Sequence, residues 1–83
     1  MAQPRDYSTE NPLQNVIGLR DEHAQTWRNM PEDYWYSRLV QEVIELGLAM
    51  DGRHIDTPDW ELTQIAAICL NWLEMRKSNT RAG

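Results

Sequence analysis

The stretch from Leu62 to Leu73 constrains this chain more than any other feature. Leu62, Ile65, Ala66, Ala67, Ile68, Cys69, Leu70, Trp72 and Leu73 place apolar groups on nearly every face of one helix. A helix that is apolar all round belongs at the centre of a bundle. The chain has only 83 residues, and a domain of that size buries only ~60% of its unfolded surface. Two other helices of the same chain cannot surround such a helix. The sequence therefore predicts a homodimer or a dimer of dimers. The single cysteine excludes an internal disulfide and a cysteine-rich zinc module as other sources of stability.

Two further helical segments precede it. In the first, from about Pro12 to Asn29, Leu13, Val16, Ile17, Ala24 and Trp27 fall on one stripe. Asn11 suits its N-cap and Pro12 its first position. The second starts at Pro31, with Glu32 and Asp33 at the positive end of the helix dipole. Tyr34, Trp35, Leu39, Val40, Val43, Ile44, Leu46 and Met50 recur along it at spacings of three and four, and Asp51-Gly52 is its stop. Thr57-Pro58-Asp59 opens the third helix. No strand-like alternation occurs, so the expected fold class is all-α, with one helical domain over residues 12–78. Residues 1–11 are expected to form a mobile N-terminal arm, and residues 79–83 a frayed tail.

Charge and hydropathy remove several function classes. Eight Lys and Arg against 13 Asp and Glu give a net charge of -5, which argues against binding nucleic acid in bulk. No run of 18 apolar residues offers a membrane span. The polar start, with Asp6, Glu10 and two prolines among or next to its first residues, is unlike a signal peptide. A cytoplasmic, soluble protein is the expectation.

The informative residues are polar ones among apolar neighbours. Glu42 and Glu45 are three apart in the second helix, so their carboxylates share a face. Glu61 and Gln64 repeat that spacing in the third helix, and Asn71 continues the stripe. Antiparallel packing across a short loop would bring the two ribbons together. Three buried carboxylates need a cation to stay ionised, and a hard divalent ion with oxygen ligands meets that need. The plain structural reading competes: Glu42 can pair with Arg38 one turn earlier, worth ~0.3–0.5 kcal/mol, and Gln64 and Asn71 can serve as hydrogen-bonded bundle residues. His23 and His54 are expected on the surface, Cys69 in the core as a small apolar residue, and Arg53 in a plain turn. The four tryptophans are expected in the core, with Trp27 or Trp35 the exceptions that could stack on a base.

Gln41-Glu-Val-Ile-Glu45 and Glu61-Leu-Thr-Gln64-Ile-Ala-Ala resemble the MazG-like proteins of the all-α nucleoside triphosphate pyrophosphohydrolase group. The resemblance spans roughly residues 13–75. The run from Glu61 to Glu74 is especially similar to a small phage and bacterial subgroup. The family carries E-E-x-x-E on one helix and E-x-x-D on the next. The resemblance implies a MazG-like helical bundle completed by dimerisation. It also implies Mg²⁺-dependent, or Mn²⁺-dependent, hydrolysis of a nucleoside triphosphate to a monophosphate and pyrophosphate. Glu42, Glu45 and Glu61 would be catalytic residues holding the metal, Gln64 a further ligand, and Asn71 a contact to the sugar or base of the substrate. Two positions depart from the pattern. Gln41 stands for the first glutamate, and Gln64 stands for the aspartate, where a neutral amide oxygen adds no charge. Activity would then be weakened or lost, and the alternative function is a catalytically inactive, dimeric helical interaction module.

Overall fold

The computed structural model describes residues 11–82, and side chains to residue 78. The expected arm lies almost wholly outside the described residues; Asn11 itself caps the first helix. Three helices follow one another: α1 (Pro12–Thr26), α2 (Glu32–Met50) and α3 (Pro58–Ala82). The described residues contain no strand.

Local chemistry sets these boundaries. The Asn11 side chain accepts the backbone N–H groups of Leu13 and Gln14 at 3.0 and 3.3 Å, and Pro12 takes the first helical position. α1 stops at Thr26, short of the expected Asn29: Trp27 is its C-cap with φ -112°, and Asn29 beyond it adopts a left-handed conformation with φ 65°. Asparagine tolerates that region better than most side chains. Pro31 is the N-cap of α2 rather than its first residue. Gly52, at φ 72°, closes α2 where a residue with a Cβ would be strained. Thr57 caps α3 by accepting the Trp60 N–H at 3.2 Å. α3 continues through Ala82, beyond the expected domain end at residue 78.

α3 packs along both other helices, whereas α1 and α2 meet through side chains where Trp27, the C-cap of α1, lies against Tyr34 and Trp35. The central place expected for α3 follows from this. Ala67 and Ile68 of α3 are fully buried, and Leu19 of α1 and Trp35 and Ala49 of α2 are the other buried apolar residues. α2 and α3 run antiparallel: Glu32, at the start of α2, accepts hydrogen bonds from the Trp72 indole and from Arg76, late in α3. Those two donors hold the Glu32 carboxyl below its usual range. On the other side, Arg20 of α1 pairs with Glu74 at 2.6 Å.

The apolar stripes are not where periodicity places them. Leu13 is largely exposed, and α1 buries Leu19 and His23 instead. His23, expected on the surface, stacks on Trp27 with ring centroids 4.1 Å apart. On α2, Val40, Val43, Ile44 and Met50 face outward while Glu42 is buried. α2 therefore turns an acidic residue inward and an apolar face outward.

Candidate metal centre

The antiparallel register of α2 and α3 brings Glu42, Glu45 and Glu61 together. Glu61 sits in the first turn of α3 and is completely enclosed, and Glu42 is 2% exposed. Neither oxygen of Glu61, nor Oε1 of Glu42, meets an N–H or hydroxyl donor among the described residues, and only a proton held between the two carboxyls joins them. Buried carboxylate oxygens are nearly always satisfied, so three oxygens without such donors in one place call for an explanation. Burial pushes the Glu61 carboxyl up to about 8, and the adjoining Glu42 carboxyl, then Glu45 and Asp56, push in the same direction.

The remaining oxygens of the cluster are held firmly. Arg38 donates to Glu42 Oε2 at 3.0 Å, the pair expected from spacing. It also donates to Gln41 Oε1 at 3.1 Å, while Gln41 Nε2 donates to Glu45 Oε2 at 3.0 Å. Gln41 thus links a cation to an anion through one amide, accepting at one end and donating at the other. A glutamate there could accept from Arg38 but would repel Glu45. The amide therefore suits this position, and it leaves Glu45 Oε1 and Glu42 Oε1 to face the cluster.

His54 is the residue that sequence reasoning missed. Its expected place is the surface, yet the side chain is only 19% exposed. The loop after α2 folds it back so that Nε2 lies 3.6 Å from Glu45 Oε1 and Nδ1 lies 3.5 Å from Glu61 Oε2. Nδ1 accepts the backbone N–H of Asp56 at 3.1 Å, which anchors the ring. Potential ligand atoms of Glu45, His54 and Glu61 all lie within 4.8 Å of one another. No spacing rule links a loop histidine to glutamates nine residues before and seven after it; the Gly52 turn creates the contact.

The other expected site residues are placed differently. Gln64 is half-buried one turn beyond Glu61, with Oε1 enclosed and without a hydrogen-bond donor. Asn71 is placed with α1 rather than with the carboxylates: its Nδ2 donates to the Arg20 carbonyl at 3.0 Å. It also lines a groove of about 310 Å³ with Ala24, Trp27, Trp35 and Met75. Trp35, one of the two expected exceptions, is the buried tryptophan, while Trp60 and Trp72, expected in the core, are half-buried. Trp27 is half-buried and carries the Arg38 guanidinium 5.2 Å from its ring centroid. Arg53 pairs with Asp51 within its own turn, and Cys69 is half-buried.

The donor set suits a divalent cation. It offers enclosed carboxylate oxygens without N–H or hydroxyl donors, an imidazole nitrogen, and a compensating guanidinium on the outer side only. No protein-family model matches the chain, and no curated protein or solved structure matches it either. No described helix is long and apolar enough to cross a membrane.

Proposed function

We propose that this chain is a divalent-cation-dependent nucleoside triphosphate pyrophosphohydrolase, releasing a nucleoside monophosphate and pyrophosphate. The observation that carries the proposal is the meeting of Glu42, Glu45 and Glu61 around an enclosed Glu61 carboxyl whose only hydrogen-bond partner is another acid, Glu42. The resemblance of these helices to MazG-like proteins supplies the reaction. Glu42, Glu45 and Glu61 would hold the cation, Mg²⁺ or Mn²⁺, with Gln64 Oε1 as a neutral ligand. A bound cation of this kind neutralises phosphate charge and acidifies a coordinated water. The chain's own contribution is positional. Arg38 and Gln41 fix the outer oxygens of Glu42 and Glu45, and the packing of α3 fixes Glu61. Asn71 would meet the sugar or base only if the substrate extends into the groove beside Trp27.

We further place a second copy of the chain on the outward face of α2. Tyr36, Val40, Val43, Gly47 and Met50 alternate at spacings of four and three along that face. This is the repeat through which two like helices interdigitate. Gly47 is exposed in the helix interior with open space around it. A glycine there costs ~1 kcal/mol relative to alanine, and close approach of a partner helix gives it a purpose. A groove of about 390 Å³ on the same face reaches from Tyr36 to Glu45, so the partner would border the acidic site.

That exposed face also favours the second reading, an interaction module in which the carboxylates are vestigial. Dialysed protein assayed against ribo- and deoxynucleoside triphosphates with Mg²⁺ or Mn²⁺ separates the two. Pyrophosphate release that disappears in Glu45→Gln supports the enzyme. No release with any nucleotide and either ion leaves the module.

A further inference from the structure

The cation-site reading above leaves His54 without a role. It belongs to neither glutamate ribbon, and its place in the cluster comes from the loop alone. We infer that His54 is a nitrogen ligand of this site, and that the site consequently takes Mn²⁺ in preference to Mg²⁺. The inference rests on the cation reading and adds the identity of a ligand and of the metal class.

His54 reaches Glu45 on α2 with one ring nitrogen and Glu61 on α3 with the other, at 3.6 and 3.5 Å. It therefore sits between the two helices that supply the carboxylates. A cluster of acids would not by itself make a site. Here Glu61 is completely enclosed and finds no N–H or hydroxyl donor for either oxygen, its only hydrogen-bond partner being the adjoining Glu42 carboxyl, which Arg38 holds from the other side. The neutral Gln64 leaves the set with one anionic ligand fewer than an aspartate would give, and an imidazole is the strongest donor nearby.

Binding an ion changes the tautomer of the ring, since Nδ1 accepts the Asp56 N–H here and the proton lies on Nε2. Coordination through Nε2 requires the imidazole proton to reside on Nδ1. The Asp56 carboxylate is 3.9 Å from Nδ1, and a carboxylate behind the second nitrogen is the usual orienting partner of a metal-bound histidine. Metal binding would exchange the Asp56 N–H contact for one to the Asp56 carboxylate. Asp56 is then a positioning residue.

The donor set decides the metal class. Mg²⁺ strongly favours oxygen ligands in near-ideal octahedral geometry, whereas first-row transition ions accept imidazole alongside carboxylates. One nitrogen with two or three carboxylates fits Mn²⁺ among the ions that also support phosphoryl chemistry.

Pulsed electron paramagnetic resonance on the full chain loaded with Mn²⁺ alone tests this directly. Nitrogen modulation from a coordinated imidazole is expected in the native protein and should vanish in His54→Ala. In competition, Mn²⁺ should outbind Mg²⁺ by more than about tenfold, and His54→Ala should reduce that ratio by ~10-fold or more. Asp56→Asn should weaken Mn²⁺ binding while retaining the nitrogen signal. Bound Mn²⁺ without nitrogen modulation overturns the inference and leaves the carboxylate site standing, as does an unchanged ion preference in folded His54→Ala. Failure of both ions to bind the native chain overturns both. A histidine-coordinated Mn²⁺ without any hydrolysis of nucleotides leaves this inference intact and removes only the proposed activity.

Discussion

Glu61→Gln removes the group whose ionisation burdens the fold. The Glu61 carboxyl has an ordinary value of 4.5 and is pushed up to about 8 by burial and by Glu42, Glu45 and Asp56. Below 4.5 the folded and unfolded chains both carry the proton, and its contribution to stability is fully present. Between the two values the unfolded chain releases the proton and the folded chain retains it, so stability falls as pH rises. Because the raised value is shared with the adjoining Glu42, the loss across the window is on the order of a few kcal/mol at most. A small domain has only ~5–15 kcal/mol in total, so the metal-free protein should be measurably less stable above the upper value. The amide introduced by the substitution cannot ionise, and it can donate to the Glu42 carboxylate. Urea unfolding followed by circular dichroism in the presence of a chelator, from about pH 5 to about pH 9, reads the difference. The native chain should lose stability across that range. The variant should give a much flatter profile and be the more stable of the two at the alkaline end. Parallel profiles, or a variant less stable at high pH, would show that Glu61 is not held protonated and would refute the reasoning.

Other perturbations read other parts of the molecule. Ile68→Asp puts an unpaired charge in the fully enclosed centre of α3 and should unfold the protein, a loss above about 4 kcal/mol; an unchanged melting temperature contradicts the packing. Val43→Glu, on the outward face of α2, should convert a particle of at least twice 9.8 kDa in light scattering to one of 9.8 kDa; an unaltered mass removes that face from the interface. Asn71→Ala leaves the Arg20 carbonyl without its donor and should cost about 1–2 kcal/mol, while Mn²⁺ binding measured by calorimetry stays unchanged. A loss of cation affinity there would place Asn71 in the site instead.

The three helices were legible because their ends are written in local chemistry. Asn11-Pro12, Asp51-Gly52 and Thr57-Pro58 act over two or three residues, and each lies at or beside a helix end. The central position of α3 followed from its apolar girth. The carboxylate pairs were legible because helical spacing puts Glu42 and Glu45 on one turn. What periodicity could not give is which side of an amphipathic helix faces inward. α2 has apolar residues on much of its surface, and tertiary packing chose Trp35, Glu42 and Ala49 for the interior. His23 and His54 were misplaced for a related reason. An isolated polar residue looks like surface until a neighbouring helix or a returning loop covers it. The apolar surface left on α2 is also why dimerisation remains part of the proposal rather than of the described fold.

Calorimetric titration of the dialysed native chain with Mn²⁺ near neutral pH tests the cation site most directly. One saturable ion per acidic cluster is expected, with binding lost in both Glu45→Gln and Glu61→Gln while each variant stays folded. No binding at millimolar Mn²⁺, or equal binding by the native chain and the two variants, would mean that the enclosed carboxylates are not a metal site.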